Sequence, residues 1–320
     1  MIISAYVSVG GFKDGFRPGD TERLTHINWA FAVVKEGRGS VDHWKNGDAV
    51  RAFNKTKGHL KSILSVGGWG AGGFSNACLT PEGRELLAQS LVDIANDYGF
   101  DGIDMDWEYP GVSAAGIDAS PEHDKQNFVE LIRLLREKQK PGAIVSMAAG
   151  TTTKIIEHLD FPELLKYMDF INLMTYDLCP WDRVGYHTAL AQAAEGVARF
   201  VDAGWPAARL TLGAAFYGRI YKDCDGYGAP ISQGSIPGWI SYTKIKERGH
   251  GPGYNQYDET AQTAFFYDTT TREFASYDNP RSLAAKVAYV QENALAGLMF
   301  WEYSYDTPDS ELVRAISGKE

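Results

Sequence analysis

The most informative stretch of the sequence carries three carboxylates at alternating positions. Asp104, Asp106 and Glu108 lie within residues 101–110, which read Asp-Gly-Ile-Asp-Met-Asp-Trp-Glu-Tyr-Pro. Side chains of a β-strand alternate between its two faces, so the three acids share one face at intervals of roughly 6.5–7 Å. If this face is buried, its charges are costly unless protons or partners relieve them. A carboxyl group that keeps its proton can then serve as a general acid. The spacing therefore predicts an acid–base site rather than a solvated acidic face.

Eight short apolar runs, each rich in strand-forming residues, alternate with segments of helical periodicity along the whole chain. The predicted strands are 2–8, 26–34, 61–67, 101–108, 143–149, 169–176, 210–217 and 296–303. Alternating strands and helices indicate a parallel sheet, and eight such units close a (β/α)8 TIM barrel. A doubly wound open sheet is the alternative. In a barrel, Glu108 would stand at the carboxyl end of its strand, where active sites are built.

The predicted helices begin with a capping residue followed by proline at three places. These are Thr80-Pro81, Ser120-Pro121 and Asn279-Pro280. Residues 218–280 are too long for a simple loop, and their aromatic, glycine-rich sequence predicts a short α+β-type insertion after the seventh strand. This insertion would contain its own strands at 263–267 and 273–277. We therefore expect residues 1–320 to form one catalytic barrel with a single enlarged insertion.

Composition argues against several classes of partner. The 320 residues contain 31 Lys and Arg against 41 Asp and Glu, a net charge of −10, without a basic run, so neither nucleic acid nor an anionic membrane is an expected partner. No apolar run reaches the roughly 18 residues that span a bilayer. The seven His residues show no ligand spacing, so we expect no metal and no cofactor. The amino terminus lacks a leader pattern, which predicts a cytoplasmic protein unless a leader has been removed.

A glycine-rich segment, residues 68–73, formally matches the pattern G-x-G-x-x-G after a strand. In a dinucleotide site the glycines open a helix directly. Here the next helix is expected only near Pro81. We therefore interpret the segment as a loop that borders the active site.

The acidic stretch resembles the signature of family 18 glycoside hydrolases, the chitinase family. Four motifs on other predicted strands are also similar to that family and occur in its order over nearly the whole chain. They are Ser65-Val66-Gly67-Gly68-Trp69, Met174-Thr175-Tyr176-Asp177, Phe216-Tyr217-Gly218-Arg219 and Trp301. The resemblance implies a barrel enzyme that hydrolyses β-1,4-linked N-acetylglucosamine in chitin or its oligosaccharides. It also implies that the substrate's own 2-acetamido carbonyl attacks C1, forming an oxazolinium ion that water opens with retention of configuration.

The resemblance implies a role for each residue at the reacting sugar. Glu108 would be the general acid, and Asp106 would share a proton with Asp104 while holding the acetamido N–H. Tyr176 would donate its hydroxyl to the acetamido carbonyl, and Trp301 would form the floor under the sugar. The supporting and binding roles fall to a further set, which comprises Tyr6, Phe31, Ser65, Trp69, Asp101, Met174, Asp177, Tyr217 and Arg219.

Three alternatives remain at this stage. An endo-β-N-acetylglucosaminidase or a peptidoglycan-type hydrolase would belong to the same family, whereas a chitin-binding lectin would have no activity. The presence of Glu108, Asp177 and the other acids favours a chitinase. The insertion looks shorter than in many members of the family, which predicts a shallower cleft. We expect the protein to act as a monomer.

Overall fold

A computed structural model describes residues 1–117, 119–231, 237–249 and 253–318. Strands within these ranges alternate with helices for most of the chain. The strands are β1 (Ile2–Ser8), β2 (His26–Lys35), β3 (Arg38–Ser40), β4 (Lys61–Gly67), β5 (Gly102–Asp106), β6 (Ile144–Gly150), β7 (Phe170–Met174), β8 (Leu210–Ala215), β9 (Tyr217–Tyr221), β10 (Gly238–Ser241), β11 (Gln256–Asp258), β12 (Thr263–Asp268), β13 (Glu273–Tyr277) and β14 (Gly297–Trp301).

Eight parallel strands close into a barrel in the order β1, β2, β4, β5, β6, β7, β8 and β14, with β14 pairing back onto β1. This confirms the predicted (β/α)8 TIM barrel. β3 adds to β2 in the antiparallel direction. Barrel strands are covered on both faces, which explains why they read as nearly continuous apolar runs. In β5, for example, Ile103 and Met105 are completely buried in the main hydrophobic core.

Most helices of the described ranges surround the barrel strands, and one, α9, belongs to the segment after β8. They are α1 (Asp20–Arg23), α2 (Gly47–Thr56), α3 (Phe74–Cys78), α4 (Pro81–Tyr98), α5 (Asp124–Lys138), α6 (Thr153–Glu157), α7 (Phe161–Leu164), α8 (Leu190–Asp202), α9 (Tyr242–Arg248), α10 (Pro280–Glu292) and α11 (Glu311–Ser317). No helix in the described ranges is long and apolar enough to cross a membrane. Two predicted caps are present: Thr80 accepts a hydrogen bond from the Gly83 amide at 3.1 Å, and Asn279 forms a capping box with Ser282.

Two helix boundaries differ from the prediction. α5 begins at Asp124 rather than at Ser120-Pro121, because the Asp124 carboxylate turns back and accepts hydrogen bonds from the amides of Ser120 and Gly111. The preceding residues are thereby held in a turn. In addition, a helix follows the glycine-rich loop at Phe74 and not first at Pro81. This helix, α3, has only five residues.

The segment between β8 and α10 forms a second, antiparallel sheet in the order β10, β9, β13, β12, β11, with α9 between β10 and β11. It contains the strands expected at 263–267 and 273–277, as β12 and β13. Ile240, Ala264, Phe266 and Ala275 join the main core from this sheet. The sheet therefore stands on the barrel at the end where β8 finishes.

A buried ion pair joins the residue that follows β13, the last strand of this sheet along the chain, to α10. The Lys286 ammonium of α10 donates to the Asp278 carboxylate and to the Thr188 hydroxyl, both at 2.6 Å, and both charged side chains are fully buried. Asp278 also accepts hydrogen bonds from the Ala215 amide at the end of β8 and from the Ser282 hydroxyl. Burial lowers the pKa of Lys286.

Replacing Lys286 with Met would leave the Asp278 charge buried without a partner. We expect Lys286→Met to lower the free energy of unfolding by about 3–5 kcal/mol, as measured by urea denaturation. Arg281→Met is the matched control, because Arg281 lies on the same helix and pairs with Glu259 at 2.6 Å in an exposed position. This control should cost less than about 1 kcal/mol. Equal losses in the two variants would contradict the role assigned to the buried pair.

Candidate active site

Asp104 lies at the centre of the barrel and is completely buried. One carboxylate oxygen accepts hydrogen bonds from the hydroxyls of Tyr6 at 2.9 Å and Ser65 at 2.8 Å. The other accepts from the Ser146 hydroxyl at 2.7 Å and the Asn172 amide at 3.2 Å. Burial raises the pKa of Asp104, and these four donors oppose the rise. The donors come from β1, β4, β6 and β7, so one carboxylate joins five strands.

Ser146 and Asn172 were not proposed as site residues from the sequence. Each interrupts an otherwise apolar barrel strand, and both are completely buried. A buried polar side chain must find a hydrogen-bond partner. A polar residue inside a barrel strand was therefore the signal that could have identified them.

Asp106 lies two residues farther along β5 and is only 4% exposed. Its Oδ1 atom has no hydrogen-bond partner among the described residues. Burial, together with the charges of Glu108 and Asp104, raises the pKa of Asp106 well above its usual range. This carboxyl group consequently favours its protonated form, which makes the stacked acids tolerable, and its Oδ1 is a buried polar atom with no partner among the described residues.

Glu108 follows the end of β5. Burial raises the pKa of its carboxyl to about 7, and the Asp177 charge acts in the same direction, whereas an interaction with the Tyr109 hydroxyl lowers it. A carboxyl group with this pKa holds a proton at neutral pH and can also release it, which suits both general acid and general base steps.

An aromatic cluster lies beside the acids. The indole of Trp301 stacks on the ring of Phe31, with 5.4 Å between centroids and 14° between planes. Met174 and Tyr176 belong to the same cluster, and all four residues are half-buried around a buried centre that includes Met299. The cluster forms an apolar wall with the Tyr176 hydroxyl in it, which is an arrangement that can hold a flat, partly apolar ligand.

Asp177 and Arg219 form a bidentate ion pair at the rim of the site, with both N–O distances at 2.6 Å. Burial would raise the pKa of Asp177, but interactions with His187 and Arg219 hold it well below its usual range. Tyr217 lies behind them, with its ring 6.0 Å from that of Tyr176. Asp177 therefore stays charged, and this fixed charge acts on Glu108.

His187 is a neighbour of this pair that the sequence did not reveal. It is fully buried, its Nδ1 lies 3.5 Å from an Asp177 carboxylate oxygen, and its ring centroid is 5.1 Å from that of Tyr217. A single His without a ligand pattern around it carries no signal of such a contact.

Two predicted site residues stand apart from the acids. Asp101, expected to support them, lies at the opposite end of β5, where it accepts hydrogen bonds from the Lys57 ammonium at 2.5 Å and the Ser62 amide at 2.8 Å. It fastens β5 to the chain around β4 at the amino end of the barrel. Trp69 lies on the loop after β4 with 69% of its surface exposed. It borders the barrel mouth without packing in the aromatic cluster.

The glycine-rich loop after β4 approaches this cluster closely. Gly68 has a φ of +93°, and a Cβ atom there would lie 2.7 Å from the ring of Phe31. Only glycine allows this approach without displacing the ring. Among the residues that the structure describes, no three His, Cys, Asp or Glu side chains are grouped so that they could hold a metal ion.

Comparison with known proteins places these features in one family. The sequence model of the glycosyl hydrolases family 18 matches residues 4–306. Chitinase A1 of Niallia circulans is 32% identical over 301 residues, which cover 82% of this chain and 43% of that protein. This chain therefore spans less than half of that relative.

Solved structures give the same result. A family 18 N-acetylglucosaminidase from Paenibacillus barengoltzii is 33% identical with a TM-score of 0.89, and the match covers 99% of each chain. Chitinase ChiW from Paenibacillus sp. str. FPU-7 is 32% identical with a TM-score of 0.89, covering 100% of this chain and 42% of that one.

Replacing Asp177 with Asn removes a charge that raises the pKa of Glu108. We expect the Glu108 carboxyl to titrate near pH 7 in the native protein and at a lower pH in Asp177→Asn. Carbon-13 NMR of the side-chain carboxyls, assigned with Glu108→Gln, measures both midpoints. Asp182→Asn removes an exposed carboxylate from the same loop and should leave the midpoint unchanged. A native midpoint near 4.3, the value of an exposed glutamate, would contradict the interpretation.

Proposed function

The chain belongs to the glycosyl hydrolases of family 18, and from this premise we propose that it is a chitinase, which hydrolyses the β-1,4 linkages of N-acetylglucosamine polymers and oligomers. The observation that carries the proposal is Glu108, a carboxyl group with a pKa of about 7 at the barrel mouth, beside a buried acid and an aromatic wall. Family 18 enzymes use the substrate's acetamido group in place of an enzyme nucleophile.

Glu108 acts as the general acid. It gives its proton to the glycosidic oxygen as the bond to C1 breaks, and the resulting carboxylate then takes a proton from the water that attacks C1. A pKa of about 7 supports both steps, because neither the acid nor the base form is strongly disfavoured near neutral pH.

Asp106 and Asp104 stabilise the intermediate as a pair. Asp106, whose buried Oδ1 has no partner among the described residues, accepts the acetamido N–H through its carboxyl group, which holds the acetamido carbonyl in place to attack C1. As C1 and then the oxazolinium ring gain positive charge, a shift of the proton toward Asp104 would leave Asp106 negative. The four hydrogen-bond donors around Asp104 limit the movement of its carboxyl group.

The aromatic wall binds the reacting sugar. The apolar face of the sugar ring lies on the Trp301 indole, and the acetamido methyl enters the space beside Met174. The Tyr176 hydroxyl, which lies 4.0 Å from the weakly accepting sulfur of Met299, donates to the acetamido carbonyl. Asp177 and Arg219 contact sugar hydroxyls, with Tyr217 and Phe31 packed around the site and Trp69 as a neighbouring sugar contact.

A second candidate is an N-acetylglucosaminidase that releases single sugars. This candidate is weighed because the chain is similar to the N-acetylglucosaminidase from Paenibacillus barengoltzii over nearly the whole of both chains. The same acids would act on the same linkage, and only the closure of the cleft around one end of the substrate would differ. Release of monomer alone from the earliest time points would support this candidate over a chitinase.

Glu108→Gln should strongly slow the hydrolysis of N-acetylglucosamine oligomers while leaving their binding largely intact. Gln keeps the shape of the side chain but has no proton to transfer, so we expect kcat to fall about 10²- to 10⁴-fold. Rates on a hexamer and its binding by calorimetry measure the two effects. Glu302→Gln is the control, since Glu302 is also a buried acid with a raised pKa, but it accepts from the Ser8 amide and should leave most of the activity. Loss of binding together with activity, in a folded protein, would contradict the acid role.

A further inference from the structure

Asp177, the charged residue at the rim of the active site, has an unusual backbone conformation. Its φ is +60°, in the left-handed region that residues other than glycine rarely enter. The residue lies in the loop between β7 and α8, three positions after β7 ends at Met174. A backbone conformation of this kind persists where the surrounding structure holds it. The groups that hold Asp177 therefore deserve as much attention as its carboxylate.

His187, farther along the same loop, makes these contacts with its backbone and its ring. The Asp177 amide donates to the Nδ1 atom of His187 at 3.4 Å, and the Leu178 amide donates to the His187 carbonyl at 3.0 Å. The His187 amide in turn donates at 2.9 Å to the hydroxyl of Ser276 on β13, which is completely buried. His187 thereby connects the backbone of Asp177 to the second sheet.

The imidazole of His187 contacts the side chain of Asp177 through the same ring atom. Nδ1 lies 3.5 Å from a carboxylate oxygen, whereas Nε2 is buried and has no partner within the described part of the chain. Burial lowers the pKa of His187, and the charged groups around the ring are Asp177, Arg219 and Asp278. A neutral imidazole carries one proton, so Nδ1 can accept from the amide or donate to the carboxylate. Either bond ties Asp177 to Nδ1.

We propose that His187 is a positioning residue for the hydrolytic reaction, whose Nδ1 atom holds Asp177 in the conformation that pairs its carboxylate with Arg219 at the rim of the site. The inference rests on the proposed function. His187 is completely buried and acts through Asp177. The charge held in this way raises the pKa of Glu108, so His187 helps the general acid to keep its proton.

Two amide substitutions, each matching one ring nitrogen, test this role. Asn can place a polar atom where Nδ1 lies, whereas the longer Gln reaches the position of Nε2. Carbon-13 NMR of the carboxyls should find the Glu108 midpoint near 7 in His187→Asn and lower in His187→Gln. Above pH 7, each unit of that fall reduces the protonated fraction about tenfold. We therefore expect kcat/KM for the hexamer at pH 8 to fall about tenfold in His187→Gln and to stay near native in His187→Asn.

Two further variants separate positioning from a loss of stability. In an Asp177→Asn background, His187→Gln should not lower the Glu108 midpoint again, because the charge that it positions is already gone. His26→Gln replaces a half-buried histidine at the first residue of β2, at the other end of the barrel, and should leave the midpoint unchanged. Equal midpoints in His187→Gln and His187→Asn, or a further fall in the double variant, would overturn the positioning role while the proposed function stands.

Nitrogen-15 NMR of the imidazole tests the contact without a substitution at His187. Asp177→Asn should shift the Nδ1 resonance more than the Nε2 resonance, and a larger change at Nε2 would contradict the inference. None of the NMR measurements depends on turnover. If the native protein cleaves no N-acetylglucosamine oligomer, the proposed function fails, whereas the titration and the ring resonances still decide whether Nδ1 holds Asp177.

Discussion

The burial of one carboxylate, Asp104, is the constraint on which the rest of the site depends. An ion withdrawn from water at the centre of a barrel is costly unless donors replace the lost hydration. Four side chains on four other strands supply these donors. These hydrogen bonds therefore account for the polar side chains that interrupt the apolar interior of the barrel, and they hold Asp104 in place below the other two acids.

The other two acids take their properties from this arrangement. Asp106 lies above one carboxylate and below another, and its Oδ1 has no partner within the described part of the chain, so it favours the protonated form. Glu108 lies nearer the mouth, where burial is less complete, and its pKa rises only to about 7. The ion pair with Arg219 keeps Asp177 ionised at the rim, so a fixed negative charge lies near Glu108 and Asp177 does not compete for its proton. Three acids on one strand face thus acquire three different protonation behaviours.

The barrel strands, two helix caps and the shared face of the acids could be predicted from the sequence. Side-chain alternation in β5 has a period of two, so the acids had to share a face. The eight strands followed from the alternation of apolar runs, and Thr80 and Asn279 cap helices by local hydrogen bonds.

Contacts between distant segments were not predictable. Asp101 belongs to the acidic motif by sequence, yet it pairs with Lys57 at the other end of β5. The position of His187 depends on a contact with a distant segment, since its amide donates to the Ser276 hydroxyl of β13, and no local pattern specifies this contact. The start of α5 was missed because the Asp124 carboxylate accepts from the Ser120 amide and holds the preceding residues in a turn.

The central claim is that the glycosidic bond breaks in two displacements at C1, the first by the substrate's acetamido carbonyl, and that water does not attack the intact glycoside directly. Proton NMR of the products in the first moments of oligomer hydrolysis, before the anomers equilibrate, tests it most directly. Two displacements at C1, first by the acetamido carbonyl and then by water, predict an excess of the β-anomer at the newly formed reducing end. An initial excess of the α-anomer would mean that water attacks C1 directly, and it would contradict the account.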